Sequence, residues 1–304
     1  MANMACLALF CLLVPLAGVL GATACTPNAT TSAITLSKVS PAYWRATFSN
    51  PPFNAQGTAF YEDLYSLIDQ LANDTEVKVV VFDSNVEKFW ISQEDLLNPT
   101  PSDLVNETYW GNMTRLANLP VVTVAAIRGI ARGSGAEFAA ALDIRFASKE
   151  KGIIGHPEVG LGSLPGGGGL HLLPILTNRG RAMEIVLGAD DFDADTAALY
   201  GWINRAVPDA QFDDFVDGFA RRVAAWDRYA LAAAKKIINQ DTRFPTAEQV
   251  ASDYTAYSAA VSRKVVIERT CAIIAAGLQT NETFEINAAN ELLLFSGPGP
   301  WPVS

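Results

Sequence analysis

The run Leu119-Pro120-Val121-Val122-Thr123-Val124-Ala125-Ala126-Ile127-Arg128-Gly129 leads, through Ile130 and Ala131, into Arg132-Gly133-Ser134-Gly135-Ala136-Glu137. The β-branched apolar residues of 121–127 predict a buried strand. The glycines then predict a tight entry into a short helix over 137–142, and Ile144-Arg145-Phe146-Ala147 predicts a return to strand. Strand, turn, helix and strand in close succession define an α/β unit.

A second glycine-rich stretch follows. His156-Pro157-Glu158-Val159-Gly160-Leu161-Gly162 precedes Ser163-Leu164-Pro165 and the four glycines Gly166, Gly167, Gly168 and Gly169. Either stretch alone has an ordinary explanation. A glutamate in a first helical turn complements the helix dipole, and glycine clusters make turns. Together, Glu137 and Glu158 place two carboxylates beside flexible backbone in apolar surroundings, a combination suited to acid/base chemistry with main-chain N–H groups at hand.

Working outward, strands are predicted over 43–48, 77–82 and 153–155. An amphipathic helix is predicted over 59–71, with Phe60, Leu64, Leu67, Ile68 and Leu71 on one face. Helices dominate after that: 179–187, then 195–200 capped by Asp195, then one marked by Phe212, Phe215, Val216, Phe219, Val223 and Trp226, then 230–239 and a long one over 246–277. The sequence divides into an apolar leader (1–24), a linker (25–37), an α/β core (38–208), a helical C-terminal region (209–295) and a loose tail (296–304).

Half of the 304 residues are hydrophobic, enough for a large core. The net charge of −10 excludes a general nucleic-acid surface. Two histidines and no metal-type Cys/His spacing argue against a metal site. The run Asp191-Phe192-Asp193-Ala194-Asp195 starts like a calcium loop but lacks the glycine and closing glutamate at the required offsets.

Residues 6–20 are almost wholly apolar, and Ala22-Thr23-Ala24 offers a small-x-small cleavage site, so the leader is read as a secretory signal peptide. A membrane anchor is the alternative, although the run is short for a span. Sequons at Asn28, Asn73, Asn106, Asn112 and Asn281 agree with a secreted or extracellular glycoprotein. Cleavage after Ala24 would leave Cys25 and Cys271, paired or free.

From about Pro41 to Asn239 the chain resembles the enoyl-CoA hydratase/isomerase (crotonase) superfamily. The resemblance rests on motifs in family order: the strand Glu76 to Ser84, the loop Phe89-Trp90-Ile91-Ser92-Gln93-Glu94-Asp95-Leu96, the strand and glycine turn quoted above, the second acidic loop, Ala182 to Gly188, and Ala197 to Pro208. It implies a spiral of ββα units with a helical C-terminal region that assembles trimers or hexamers. It also implies an acyl-CoA thioester substrate, with coenzyme A entering as part of the substrate and no separate cofactor. By position, the backbone N–H groups of Ser134 and of Gln93 or Glu94 would polarise the thioester carbonyl. Glu137 and Glu158 would share the water and proton transfers, and Trp90, Ile91, His156, Pro165 and Gly166 would line the substrate site. Retention of both glutamates favours hydration over isomerisation.

The first loop departs from the family pattern. It carries one residue more than the common form, and two acids, Glu94 and Asp95, stand together. Ser134 is not a nucleophile elbow, because Arg132 and Ala136 occupy the flanking glycine positions. His156 is read as a neutral hydrogen-bonding side chain. CoA chemistry sits awkwardly with secretion, so an organellar or membrane-anchored location, another enolate reaction (thioester hydrolysis, decarboxylation) and an inactive secreted binding protein stand as alternatives.

Overall fold

The computed structural model describes residues 32–105, 107–242 and 244–297. The leader, Cys25, Asn28 and Asn106 lie outside them.

The chain winds between two sheets. One is six-stranded, ordered β1 (Ile34–Ser40), β2 (Tyr43–Phe48), β3 (Val79–Ser84), β5 (Val122–Ile127), β7 (Ile144–Ser148), β10 (Arg205–Val207). The other is four-stranded, ordered β4 (Phe89–Ile91), β6 (Ile130–Arg132), β8 (Ile153–Gly155), β9 (Asp191–Asp193). Each turn of the spiral lays one strand in the first sheet and the next in the second. A helix returns the chain after the first two of these pairs: α2 (Glu107–Asn118) after β3 and β4, and α3 (Ser134–Ala141) after β5 and β6. This is the expected spiral of ββα units, confirmed as an α/β fold. Pairing in the first sheet is parallel from β2 onward, and only β1 runs antiparallel to its neighbour.

Strand periodicity decides which residues meet. On β3, Val80 and Phe82 join the main core, whereas Val79 and Val81 face the opposite side with Val124, Ala126 and Phe146. Both faces of the sheet are therefore covered, which is why these strands read as continuous apolar runs. The first face is packed by α1 (Thr58–Asn73) and by Phe138 of α3, through aromatic contacts among Phe48, Phe60, Phe82, Trp90 and Phe138. The second face is packed by Phe212, Val216, Ala220 and Val223 of a later helix, residues 209–224.

Four expectations are corrected. The linker over 25–37 is strand from Ile34 onward. As an edge strand with one wet face, β1 reads as polar sequence, and Asp63 anchors its start by accepting from the Ala33 and Ile34 amides at 2.7 and 3.0 Å. The cap of the helix starting at Ala194 is Asp193, whose carboxylate accepts from Thr196 N–H at 2.7 Å, while Asp195 pairs with Lys149 instead. Trp226 lies beyond the end of its helix, where the Ala224 and Trp226 carbonyls accept from Lys78 Nζ.

The long helix over 246–277 is two, Ala247–Val261 and Lys264–Ala276. The chain is extended at Arg263, whose guanidinium donates to the Gly162 carbonyl at 2.8 Å, in the loop just after Glu158. Cys271, on the second of these helices, is disulfide-bonded; its candidate partner Cys25 lies outside the described residues. Among the described residues no helix is long and apolar enough to cross a membrane.

Candidate active site

The glycine turn between β6 and α3 is shaped by what surrounds it. Gly133 has φ +54°, a conformation that disfavours a side chain, and a Cβ there would lie 3.5 Å from Glu158 Oε1 and 3.6 Å from Gln93 Cβ. At Gly135 a Cβ would meet the Ile91 carbonyl oxygen at 2.4 Å, so only glycine lets α3 start hard against β4. Ser134 is the first residue of α3, where the helix leaves its leading N–H groups without internal partners.

One turn into α3, Glu137 is 5 % exposed. Its Oε1 accepts from the Gly167 and Gly169 amides at 2.8 and 2.9 Å. The four-glycine run is thus a cradle. A Cβ on Gly166 would strike the Tyr257 ring at 2.8 Å, on Gly167 the Glu137 carboxylate at 2.8 Å, on Gly168 the Trp110 ring at 2.5 Å, and on Gly169 both Glu137 and His156 at 3.0 to 3.1 Å. Burial, and then the charge of Glu158, push the Glu137 carboxyl up to about 7, against the pull of His156 and the two amides.

Glu158 opens the short helix α4 (Glu158–Leu161). Its Oε1 lies 3.3 Å from His156 Nδ1, and its Oε2 is buried with no hydrogen-bond partner. His156 is fully buried and stacks on Trp202, with centroids 5.5 Å apart and planes 9° from parallel. Burial disfavours its charged form, but the Glu158 carboxylate and the bond to it outweigh that, and Glu137 adds to them, so the imidazole titrates above its ordinary value. The two carboxylates and one imidazole therefore form a single electrostatic unit around the Gly133 turn.

The raised Glu137 value has a thermodynamic consequence. An unfolded glutamate loses its proton near 4.5, whereas Glu137 in the fold keeps it to about 7. Between those values the folded state binds more protons, so stability falls as pH rises through the window. Glu137→Gln should therefore melt higher than the wild type at pH 8, by about 2–4 °C for each kcal/mol of relieved strain. The gap should close at pH 4, which differential scanning calorimetry at the two pH values would read.

The first loop is held between two neighbours. On one side Ser92 N–H donates to Phe53 O, Gln56 N–H donates to Gln93 O at 2.8 Å, and Asp95 N–H donates to Gln56 O at 2.9 Å. On the other side β4 pairs with β6, Phe89 opposite Ile130 and Ile91 opposite Ala131. Two residues on β4 thus span one step on β6, a bulge at Trp90. Burial, with Asp95 beside it, pushes the Glu94 carboxyl up to about 7.

Trp90 and Ile91, expected to line the substrate site, are fully buried and turn inward. Trp90 donates its indole N–H to Phe82 O and packs on Phe138, and the Ile91 side chain lies against the Gly135 backbone. Both serve the core because the bulge rotates them away from the loop. Pro165 is buried and Gly166 half-buried, beside Tyr257.

Sequence reasoning missed Tyr109, Tyr257, Trp110, Trp202, Gln279 and Glu285, all of which touch the site or its loops. They come from separate elements, and no local spacing announces them. No metal-binding group of His, Cys, Asp and Glu exists among the described residues.

The sequon reading gains no support. Asn112 lies inside α2 with its amide bonded to Thr108 O, Asn73 is bonded to Asp69 O, and Asn281 spends its side chain capping the helix Glu282–Ile286.

Comparison with known proteins agrees with this geometry. The family model described as Enoyl-CoA hydratase/isomerase matches residues 43–271. A short-chain-enoyl-CoA hydratase of Clostridium acetobutylicum is 29 % identical over 192 residues, 62 % of this chain and 73 % of that protein. The mitochondrial methylglutaconyl-CoA hydratase of Mus musculus is 29 % identical over 227 residues, 71 % of each chain. The solved "putative enoyl-CoA hydratase" of Streptomyces avermitilis superposes with a TM-score of 0.80 at 38 % identity, covering 88 % of this chain and 98 % of that one. The expected secretory or extracellular location is overturned by the relatives, which include hydratases of Dictyostelium discoideum and Mus musculus named as mitochondrial. By the match of the family model to most of its length, this chain belongs to the enoyl-CoA hydratase/isomerase family.

Proposed function

We propose that the protein adds water across the double bond of a 2-enoyl-CoA, with Ser134 and Glu94 supplying the oxyanion amides and Glu137 and Glu158 moving the protons. The observation that carries this reading is the convergence of both carboxylates on the glycine turn. Glu158 Oε1 lies within 3.5 Å of the Gly133 Cβ position, and Glu137 is on the helix that turn begins.

Of the two amides open at the sequence level, the bridge between Gln56 and Glu94 favours Glu94. In a parallel bridge Gln56 bonds the residues on either side of Glu94, so the N–H of Glu94 itself points to the opposite edge of the strand. That edge is the one along which β4 meets β6, the strand that runs into Ser134. Among the described residues nothing accepts from either amide.

A thioester oxygen held there gains negative charge as water attacks the β-carbon, and two N–H groups with the α3 dipole behind them stabilise the enolate. The two carboxyls share the proton traffic. With Glu137 raised to about 7, that carboxyl is close to half protonated near neutrality, so it can serve the step as an acid or as a base. The attacking water gives a proton to the ionised member, its oxygen bonds the β-carbon, and the protonated member delivers a proton to the α-carbon. Glu158 Oε2, buried without a partner, is the free position for that exchange. Coenzyme A enters only as part of the substrate.

Loss of the enoyl absorbance of crotonyl-CoA tests the reading. Turnover by the purified chain supports hydration, whereas binding of the thioester without turnover removes it.

Ile175, Met183, Leu187 and Leu199 leave apolar side chains exposed on the helices 169–200, which supports self-association into a trimer or hexamer. Sedimentation equilibrium should return three or six times the 32.6 kDa chain mass.

A further inference from the structure

Glu285 sits in the helix Glu282–Ile286, far along the chain from either acidic loop, and is fully buried. Its carboxylate accepts from Gln93 Nε2 at 3.0 Å through one oxygen and from the Gln279 amide at 2.9 Å through the other. Its own main-chain carbonyl accepts from Arg132 Nη1 at 2.6 Å, and the next carbonyl, Ile286 O, accepts from Arg132 Nη2 at 3.1 Å. Arg132 is 1 % exposed and makes a two-pronged ion pair with Asp191 at 2.8 and 2.6 Å. The Gln279 side chain completes the connection: it donates to Glu94 O at 2.6 Å and accepts from Leu96 N–H at 2.9 Å.

The pattern is not that of a generic helix packing on a core. One short segment, 279–286, grips the first loop at Gln93, Glu94 and Leu96 and grips β6 at Arg132, two residues before Ser134. These are the two places from which the oxyanion amides come. Side-chain and main-chain acceptors of a single residue, Glu285, hold one place each. Both partners of its carboxylate are N–H donors, so the ionised form satisfies every contact; burial raises this carboxyl above its ordinary value, against the pull of the Gln279 amide, the Arg132 guanidinium and Gln93.

We propose that Glu285 is a positioning residue that fixes the spacing between the first loop and the Gly133 turn, and through it the width of the oxyanion cradle. This rests on the hydratase reading above. It assigns to the C-terminal segment a role in the chemistry of loops more than a hundred residues earlier in the chain. A displacement of the order of 1 Å in a cradle of this kind costs about a hundredfold in rate.

The test uses Glu285→Gln in the full chain, with Glu282→Ala as the control on the same helix. Glu282 is half-exposed and only pairs with Lys88 at the surface. Gln at 285 keeps the shape but offers one acceptor and one donor, so one of the two N–H partners is left facing an N–H. For crotonyl-CoA, kcat should fall about ten- to a hundredfold while KM stays within about threefold, because the loss falls on the charged intermediate rather than on binding. Acetoacetyl-CoA, a β-keto thioester, should show its enolate absorption when bound to the wild type and to Glu282→Ala, and much less when bound to Glu285→Gln. Amide exchange across residues 92–97 should quicken in Glu285→Gln alone.

Wild-type kcat and enolate absorption in Glu285→Gln would overturn the assignment. A wild type that neither hydrates crotonyl-CoA nor forms the enolate would remove the hydratase reading instead. Exchange at 92–97 then decides the positioning role by itself: faster exchange keeps it, and unchanged exchange removes it.

Discussion

Glu158→Gln is expected to lower kcat for crotonyl-CoA hydration by about 10³-fold, within the range found when a positioned acid or base is removed. The change is nearly isosteric, and the carboxylate has one hydrogen-bond partner, His156. The fold should therefore survive, and the melting temperature should stay close to that of the wild type. The loss belongs to kcat because Glu158 Oε2 has no structural partner to lose. A Gln amide can still sit beside His156, but it can neither take a proton from the attacking water nor deliver one as an acid. If turnover were undiminished in the variant, Glu158 would have no place in the mechanism, and the two-carboxylate scheme would have to be abandoned in favour of Glu137 alone.

The second large effect is expected from Gly135→Ala. The new methyl would lie 2.4 Å from the Ile91 carbonyl oxygen and 2.8 Å from the Ile91 side chain. Neither can give way cheaply, since Ile91 is fully buried and belongs to β4. Either α3 lifts or β4 shifts, at a cost of about 1–3 kcal/mol or more. The melting temperature should drop by about 2–4 °C for each kcal/mol. Turnover should fall by about a hundredfold as well, because β4 leads directly to Glu94 and α3 begins at Ser134. Gly111→Ala is the control, since nothing lies within 4 Å of a Cβ there. Calorimetry and a kcat measurement on the same two variants separate the effects. A Gly135→Ala protein with wild-type stability and rate would show that the close approach of β4 to α3 is dispensable.

Much of this was legible in the chain. The strands over 43–48 and 153–155 are observed with the bounds expected, and the helix face of Phe60, Leu64, Leu67, Ile68 and Leu71 is buried as its spacing requires. Doubly covered strands are uniform in hydrophobicity, and amphipathic helices are periodic, so both leave a local trace. The acidic pair was legible for a related reason: each glutamate follows or precedes a glycine turn by a few residues, which marks it in the sequence.

What could not be read depends on distant partners. β1 looks like a linker because its edge position leaves it polar. The break at Arg263 answers to the carbonyl of Gly162, about a hundred residues away. Trp90 looked like a pocket residue because the bulge that turns it inward is a property of two strands, not one. The secreted location came from the leader and from sequons, short local patterns that carry no information about the fold around them.

The bulge at Trp90 bears on how such a chain tolerates insertion. A parallel ladder is a ruler graduated in steps of about 3.3 Å, and a one-residue slip would carry the Glu94 amide a full graduation past its mate at Ser134. Here β4 spends two residues on one step of β6, as a kink whose indole is swallowed by the aromatic core upstream of Ile91. Excising Trp90 would thus remove a core aromatic without retuning the reaction centre, whereas adding a residue between Ile91 and Glu94 would shift its zero point.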